Sequence, residues 1–299
     1  MRIIKSFCGL RLESIVIRIF LFLFFYPAMS WGMGHLDNEW VVGSRRFRSE
    51  RLQWDVMVSS SWLAGGGFSV YDSREQPDTV LSFHPSWTRL LERERIGMTG
   101  FFYPRTQSAQ SAGLLFLYEK TLGDSEEELR LSTLLGWAFS SLKGARETAS
   151  PERKSLQEGA VSLKMDRTVV EDFIFDLSGS VFVYDRKIQS WSRWDSFSDQ
   201  RDLAFLGGIA PVLYFPSWAW NAGFSRKLPP SIPGSLFVRY GEYQSLVPDR
   251  RIPSVTTGLG TSWSQSWDTV FSYSWCRRSS QLRDHHWSFL IRYFWGEPS

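Results

Sequence analysis

The stretch HWSFLIRYFW, residues 286–295, decides the fold class of this chain because large apolar side chains occupy every second position. One face of the stretch carries Trp287, Phe289, Ile291, Tyr293 and Trp295. The opposite face includes His286, Ser288 and Arg292. Successive side chains of a β-strand point to opposite faces, so the stretch predicts a strand with one apolar and one polar face.

The same two-faced pattern recurs along the chain, between connectors rich in Gly, Pro, Ser and charged residues. The clear runs lie near residues 52–62, 129–140, 161–166, 173–183, 203–215, 218–224, 255–263, 267–275 and 286–295, and weaker ones lie near 79–84, 95–103, 112–119 and 235–241. Most clear runs are about 9–12 residues long, which matches a tilted strand that crosses a membrane. Single-chain bacterial barrels have an even number of strands, so about 13 runs predict an all-β, antiparallel up-and-down transmembrane β-barrel of about 12 strands, with 14 as the alternative. The best helix candidate is a short piece near residues 85–95.

Residues 1–30 have the layout of a secretory signal peptide. Their basic residues are Arg2, Lys5, Arg11 and Arg18. An apolar run of about 8 residues, IFLFLFFY at 19–26, lies behind these charges and is followed by small residues suited to cleavage. The run is too short for a membrane-spanning helix, which needs roughly 20 apolar residues.

The charge balance argues against a nucleic-acid partner once this segment is removed. The whole chain has 34 Lys+Arg and 31 Asp+Glu, a formal charge of +3. Residues 1–30 hold four basic residues and the acidic Glu13, which is also +3, so the remainder is formally neutral. The basic pI therefore belongs to the signal segment. Cys8 lies in the same segment, which leaves Cys276 without an internal disulfide partner.

Alternation alone fits both a membrane barrel and a soluble β-sandwich, because either fold hides the apolar face from water. Three features favour the barrel. Trp and Tyr concentrate near the ends of the runs, where a lipid–water interface would lie, and the runs exceed the usual strand length of about 5–6 residues. The last strand also ends in YFW, residues 293–295, which resembles the C-terminal signal read by the barrel-assembly machinery. We therefore predict an outer-membrane barrel over residues 51–299, in contact with lipid, and a short N-terminal arm over residues 31–50.

In these registers the polar faces of the strands point into the barrel, and eight charged residues lie on them. They are Asp55, Arg130, Lys164, Asp166, Asp176, Arg239, Asp268 and Arg292. Four are basic and four are acidic, so they can neutralise one another. One interpretation is a polar permeation path whose charges select solutes. The other, which we favour, is a narrow lumen filled by paired charges that stiffen the barrel.

The histidines provide the candidates for catalysis. His84 lies two residues before Ser86, and a second cluster, DHHWS, occupies residues 284–288. A strand rises about 3.3 Å per residue, so His286 and Ser288 lie about 7 Å apart along one face, too far for a nucleophile–base hydrogen bond. No third metal ligand is evident near two adjacent histidines, and the glycines at 65–67 lack the Lys-Ser/Thr of a phosphate-binding loop. We therefore assign no catalytic residue, metal or cofactor.

From about residue 203 to 295 the chain resembles outer-membrane barrels of the YaiO type, which are similar to the barrels that accompany exopolysaccharide export. The resemblance rests on WNAGF at 220–224, FVRY at 237–240, GLG at 258–260 and IRYFW at 291–295. It implies passage or surface display of an envelope polysaccharide, and it assigns no functional residue.

These observations lead to the hypothesis of a non-enzymatic outer-membrane barrel with a polar lumen. It would pass a solute or an envelope polymer, or serve a structural role in the envelope. The first alternative is an integral outer-membrane lipid hydrolase that uses His84 or His286. The second is a secreted sugar-binding β-sandwich, in which the Trp-rich residues 191–194 stack on sugar rings.

Overall fold

The computed structural model describes residues 33–44, 48–73, 76–103, 109–123, 128–143, 153–170, 172–185, 216–229, 232–246, 249–277 and 283–296. The predicted signal peptide, the run near residues 203–215 and the Trp-rich residues 191–194 lie outside these ranges. Within them, no helix has both the length and the apolar character needed to cross a membrane.

Fifteen β-strands account for nearly all of the described ranges. They are β1 (Gly34–Gly43), β2 (Arg48–Ser59), β3 (Trp62–Ser73), β4 (Gln76–Phe83), β5 (Ser86–Leu90), β6 (Glu94–Tyr103), β7 (Ala109–Leu122), β8 (Leu129–Lys143), β9 (Arg153–Val170), β10 (Phe173–Tyr184), β11 (Pro216–Lys227), β12 (Gly234–Leu246), β13 (Asp249–Ser264), β14 (Trp267–Arg277) and β15 (Arg283–Trp295). Tight turns join some of them, at residues 60–61 and 265–266 for example. The predicted run at 52–62 is therefore divided between β2 and β3.

The first and last strands pair with each other, and this pairing closes the sheet into a barrel. β1 and β15 run antiparallel from Gly34 opposite Trp295 to Gly43 opposite His286. The other strands are also antiparallel and pair with neighbours along the chain. Closure pairs the two strands that would otherwise be the open edges of the sheet. The predicted antiparallel up-and-down barrel is therefore confirmed, and the β-sandwich alternative is wrong.

Strands β4 and β5 share one position in the barrel. Both lie between β3 and β6, and they keep a single register, because Phe83 is opposite Phe68 and Ser86 is opposite Gly65. The break between them falls at Pro85, which has no N–H to donate to the ladder. The described strands thus fill fourteen positions around the barrel. Of the two predicted numbers, 14 is the one found, and it is even, as for other single-chain barrels.

Two stretches differ from the expectations drawn from the sequence. The sequence predicts an arm over residues 31–50, whereas Gly34–Gly43 is β1 and Arg48 already belongs to β2. Asn38 stands among the apolar residues of β1 and obscures the alternation there. The sequence also predicts a short helix near residues 85–95, and this is wrong because Ser86–Leu90 is β5.

The outer face of the barrel is apolar and exposed. Leu163 on β9 is 60% exposed and Val183 on β10 is 63% exposed. On neighbouring strands the rings of Phe271 and Trp287 stack, with centroids 5.5 Å apart. The polar residues of the same strands point inward, so the molecule is polar inside and apolar outside. This is the reverse of a water-soluble protein, whose exposed apolar patches are small.

The two ends of the barrel differ in their connections. Gly34 and Trp295 lie at one end, which we call the terminal end, and residues 60–61, 91–93 and 265–266 form short turns there. We call the opposite end the distal end. The two longest connections, residues 144–152 and 185–215, join strands at the distal end.

Candidate functional site: the charged lumen

Five of the eight charged residues predicted to face the interior line two adjoining cavities, whereas Arg130, Asp166 and Asp268 line neither of the two. The larger has a volume of about 620 Å³, and its walls include Lys164, Asp176, Arg239 and Arg292. The smaller has a volume of about 360 Å³, and its walls include Asp55. Lys164 and Arg292 belong to the walls of both cavities. The cavities are therefore two parts of one lumen, which the closed sheet surrounds.

Two arginines of the larger cavity are held by carboxylates on other strands. Arg239 on β12 donates through Nε to Oδ1 of Asp176 on β10, at 2.9 Å. Arg292 on β15 donates through Nε and Nη2 to the two carboxylate oxygens of Asp37 on β1, at 2.7 and 2.6 Å. Such bidentate contacts are among the strongest polar interactions in proteins. Asp268 is the direct neighbour of Arg292 in the β14–β15 ladder.

The other two predicted cations are paired nearer the terminal end. Lys164 Nζ lies 2.6 Å from Oδ2 of Asp166, two residues further along the same face of β9. Arg130 on β8 lies 2.9 Å from Oε1 of Glu128 through Nη2 and 3.8 Å from Oε1 of Glu119 through Nε. Each of the four predicted lumen cations therefore has a carboxylate oxygen within ion-pair distance. These four cations are therefore each balanced locally by a carboxylate.

Asp55 sits in the wall of the smaller cavity and is only 6% exposed. Its Oδ1 accepts a hydrogen bond from the Ser86 hydroxyl at 3.1 Å. Its Oδ2 lies 3.4 Å from Nε2 of His35 on the neighbouring β1. A buried carboxylate needs such partners because burial without them costs several kcal/mol.

Strand β1 supplies lumen residues that the sequence analysis assigned to an arm. Asp37 pairs with Arg292, and Glu39 accepts a hydrogen bond from the Ser288 hydroxyl at 2.7 Å. A signal for them exists in the sequence, because Asp37 and Glu39 alternate with Leu36, Trp40 and other outward residues. Their partner strand, β15, lies near the other end of the sequence, and no local pattern predicts that pairing.

An apolar strip interrupts the polar lining of the larger cavity. It is formed by Val41, Phe237, Val270 and Leu290. The Phe237 ring lies flat against the wall because its neighbour on β13 is Gly258, where any Cβ would clash with the ring. The Arg239 guanidinium lies 5.3 Å from the centre of the same ring. The cavity thus offers an aromatic face beside fixed hydrogen-bonding groups.

Towards the distal end the inner wall includes small hydroxyl side chains that bond across the strands. The Ser111 and Ser140 hydroxyls are 3.0 Å apart, and Ser180 donates to Ser162 at 3.0 Å. Each hydroxyl has a cross-strand partner, so the polar surface is ordered by the sheet itself. At this level the wall also contains larger side chains, such as Tyr243, that are fully buried.

The histidines are divided between the two faces of the barrel. His84 points inward and hydrogen-bonds through Nε2 to the hydroxyls of Ser82, at 2.7 Å, and Ser69, at 3.2 Å. Ser82 lies near the end of β4, two residues before His84, so the imidazole does reach across a spacing that strand rise alone excludes. His286 also points inward, whereas His285 points outward and contacts the Tyr273 hydroxyl through Nδ1 at 2.5 Å.

Within DHHWS, Asp284, His286 and Ser288 therefore lie on the inner face of β15, whereas His285 and Trp287 lie on the outer face. In the described ranges, no group of three or more His, Cys, Asp or Glu side chains is placed to hold a metal ion. The three glycines at 65–67 lie within β3 as part of its ladder with β2.

Comparison with solved structures finds the same fold in proteins of very different sequence. The CymD monoaromatic hydrocarbon channel is 10% identical, with a TM-score of 0.53, and the match covers 90% of this chain and 89% of that one. A bacterial polysaccharide outer membrane secretin is 10% identical, with a TM-score of 0.50, over 89% of this chain and 99% of that one. CdiB from Acinetobacter baumannii is 8% identical, with a TM-score of 0.50, over 88% of this chain and 60% of that one.

No protein-family model and no curated protein sequence matches the chain. The structural likeness therefore establishes the β-barrel fold alone, and any function depends on the residues of the lumen.

Proposed function

We propose that this protein is an outer-membrane channel that passes polar solutes through a charge-balanced lumen. The observation that carries the proposal is the polar cavity of about 620 Å³, enclosed by a closed barrel whose outer face is apolar. An apolar exterior of this extent is stable only in lipid. A polar interior of this volume has room for several waters or for a small solute.

Aromatic contacts near both ends of the outer face support the membrane position. The rings of Trp267 and Tyr293 are 4.5 Å apart near the terminal end, and those of Tyr273 and Trp287 are 4.5 Å apart towards the distal end. Amphipathic rings favour the two lipid–water interfaces. Bacterial barrels have short periplasmic turns and longer outer loops, so we assign the terminal end to the periplasm. Export through the signal peptide and insertion by the barrel-assembly machinery belong to the same proposal.

The lining favours neutral, hydroxyl-rich solutes over ions. Paired charges such as Arg239 with Asp176 cancel their long-range fields, so the lumen has little net attraction for either sign of ion. The same pairs still present hydrogen-bonding groups at fixed positions, beside the exposed part of the Phe237 ring. Sugars combine hydroxyl groups with an apolar ring face and fit such a surface. A small sugar, or a segment of an envelope polysaccharide, is the solute we propose.

The lipid hydrolase alternative receives no support from the site. His84 and His286 face the lumen, whereas a lipid substrate would lie against the outer face. An enzyme of that kind needs its nucleophile and base at the lipid interface.

Single-channel conductance in a planar bilayer tests the proposed function. The refolded full-length protein should give steady current steps with weak ion selectivity, and a neutral linear oligosaccharide should reduce the current at millimolar concentration. Arg226→Gln, on the outer face, is the matched control and should leave both properties unchanged. A barrel that is well folded but silent in the bilayer would contradict a solute channel and favour a structural role.

A further inference from the structure

Three arginines form a cluster on the outer face at the distal end of the barrel. Arg251 lies near the start of β13, Arg277 ends β14 and Arg283 begins β15, and these strands are neighbours. All three side chains are exposed. They continue the outward rows that carry exposed apolar residues such as Leu259 and Phe271 closer to the middle of the barrel. The cluster thus lies at the rim of the apolar outer surface, outside the lumen.

The arrangement of the cluster is unfavourable without an anion. Arg277 and Arg283 are direct partners in the β14–β15 ladder, and like charges in that position repel. None of the ion pairs between described residues includes any of the three arginines.

Nearby carboxylates are already engaged or face the other way. Glu242 accepts a hydrogen bond from the Tyr240 hydroxyl at 2.7 Å, and Asp249 accepts one from the Gln244 side chain. Asp284 is buried on the inner side of β15. The cluster is therefore a concentration of positive charge that the described part of the chain does not neutralise.

Aromatic side chains place the cluster at a defined level. Trp275 is two residues from Arg277 on the same face, which is about 7 Å along the strand. Below it, the Tyr273 ring packs on Trp287 and its hydroxyl contacts His285. If these rings mark the lipid–water interface, as the proposed function requires, the guanidinium groups lie among the lipid headgroups.

We propose that Arg251, Arg277 and Arg283 bind phosphate groups on the lipid headgroups of the leaflet at the distal end. A guanidinium group matches two phosphate oxygens with a pair of parallel N–H donors, which makes arginine well suited to this ligand. One phosphate between Arg277 and Arg283 would turn their repulsion into two favourable contacts. Arg251, held 5.8 Å from the Trp218 ring, supplies a third contact on the adjacent strand. The inference rests on the membrane position in the proposed function.

The test measures how a phosphorylated lipid changes the heat stability of the refolded full-length barrel in detergent micelles. The probe is lipid A with both phosphates, and dephosphorylated lipid A is the comparison. Unfolding is followed by the change in gel migration on heating. We expect the phosphorylated lipid to raise the unfolding midpoint of the wild-type protein and the dephosphorylated lipid to leave it unchanged, because a ligand stabilises the state that binds it.

Variants then locate the binding site. Replacing the three arginines together by glutamine should weaken the response to lipid A by about tenfold or more, since three charge-assisted contacts are lost. Replacement by lysine keeps the charge and should retain most of the response. The matched control replaces Arg89, Arg167 and Arg226, which are exposed basic residues on the outer face near the terminal end. This control variant should respond as the wild type does.

Several results would overturn the proposal. They are an equal response to dephosphorylated lipid, an equal response to inorganic phosphate alone, and a glutamine variant that responds like the wild type. If that variant does not fold, the two lipids on the wild-type protein still decide the question. A protein that fails to fold in detergent at all would instead contradict the proposed membrane channel, so the two failures are distinguishable.

Discussion

Replacing Asp176 by asparagine should leave the guanidinium group of Arg239 in the lumen without its carboxylate. The two side chains meet at 2.9 Å, with Asp176 6% exposed and Arg239 35% exposed. Replacing Arg239 by glutamine makes the opposite change, because it leaves a nearly buried carboxylate unpaired. The double replacement removes both charges and restores the balance of the lumen.

The size of the effect follows from burial. At an effective dielectric constant of about 20, unit charges about 4 Å apart attract by roughly 4 kcal/mol, and desolvation of the carboxylate offsets part of this. Because Arg239 is about one-third exposed, water in the lumen screens the pair further. We therefore expect a coupling free energy of about 1–2 kcal/mol between the two sites. The double replacement should lower the free energy of unfolding by less than the sum of the losses in the two single variants.

Two measurements on the wild type, the two single variants and the double variant test the pairing of Asp176 with Arg239. Urea unfolding of the refolded barrels gives the coupling free energy, and the reversal potential in a salt gradient gives the ion selectivity. Asp176→Asn should move selectivity towards anions, Arg239→Gln should move it towards cations, and the double variant should return to the wild-type value. Additive stabilities, with a coupling below about 0.5 kcal/mol, would refute the pairing argument. Shifts of selectivity in the same direction for both single variants would refute the placement of the pair in the conducting path.

Two further predictions concern the wall and the outer face. Gly258→Ala should displace the Phe237 ring and lower the free energy of unfolding, measured by urea titration, by about 1–3 kcal/mol. Gly179→Ala is the control and should be nearly neutral, because a Cβ there meets nothing within 4 Å. Equal effects of the two replacements would contradict the close approach at Gly258. Leu163→Arg on the outer face should cost about 2–4 kcal/mol when the barrel refolds into phospholipid vesicles, and Val169→Arg near the terminal end only about 0–1 kcal/mol. Equal costs at the two positions would argue against a bilayer around the barrel.

Most strands could be predicted because alternation is a local signal. Leu163 and Lys164 follow each other on β9 and point to opposite faces, and the sequence alone assigns each to its side. The lumen cations could be found in the same way. Their partners were found only when they lay on a recognised strand, as Asp166 and Asp176 do.

The structural features that could not be predicted from the sequence depend on contacts between distant residues, which no local pattern encodes. Asp37 holds Arg292 across 255 residues of sequence, and the strand that carries it has a polar residue, Asn38, on its outer face. Pro85 divides one strand position into two short runs, which suggested a helix and hid the true number of strands. The arginine cluster at the distal end also needed two ladders of the sheet: β14–β15 pairs Arg277 with Arg283, and β13–β14 brings the strand of Arg251 beside them.

The β1–β15 pairing makes closure of the barrel depend on two strands that are far apart in the sequence. Bringing residues separated by 255 positions together costs about 5 kcal/mol of chain entropy, and none of the seam contacts can offset this cost before both strands are present. Folding should therefore be slow and should end with the seam. A chain truncated before residue 283 would keep most of its strands and still expose the unpaired edges of β1 and β14, which invite aggregation. A chain that lacks β15 should thus give insoluble material rather than a smaller barrel, because the barrel closes only through this strand.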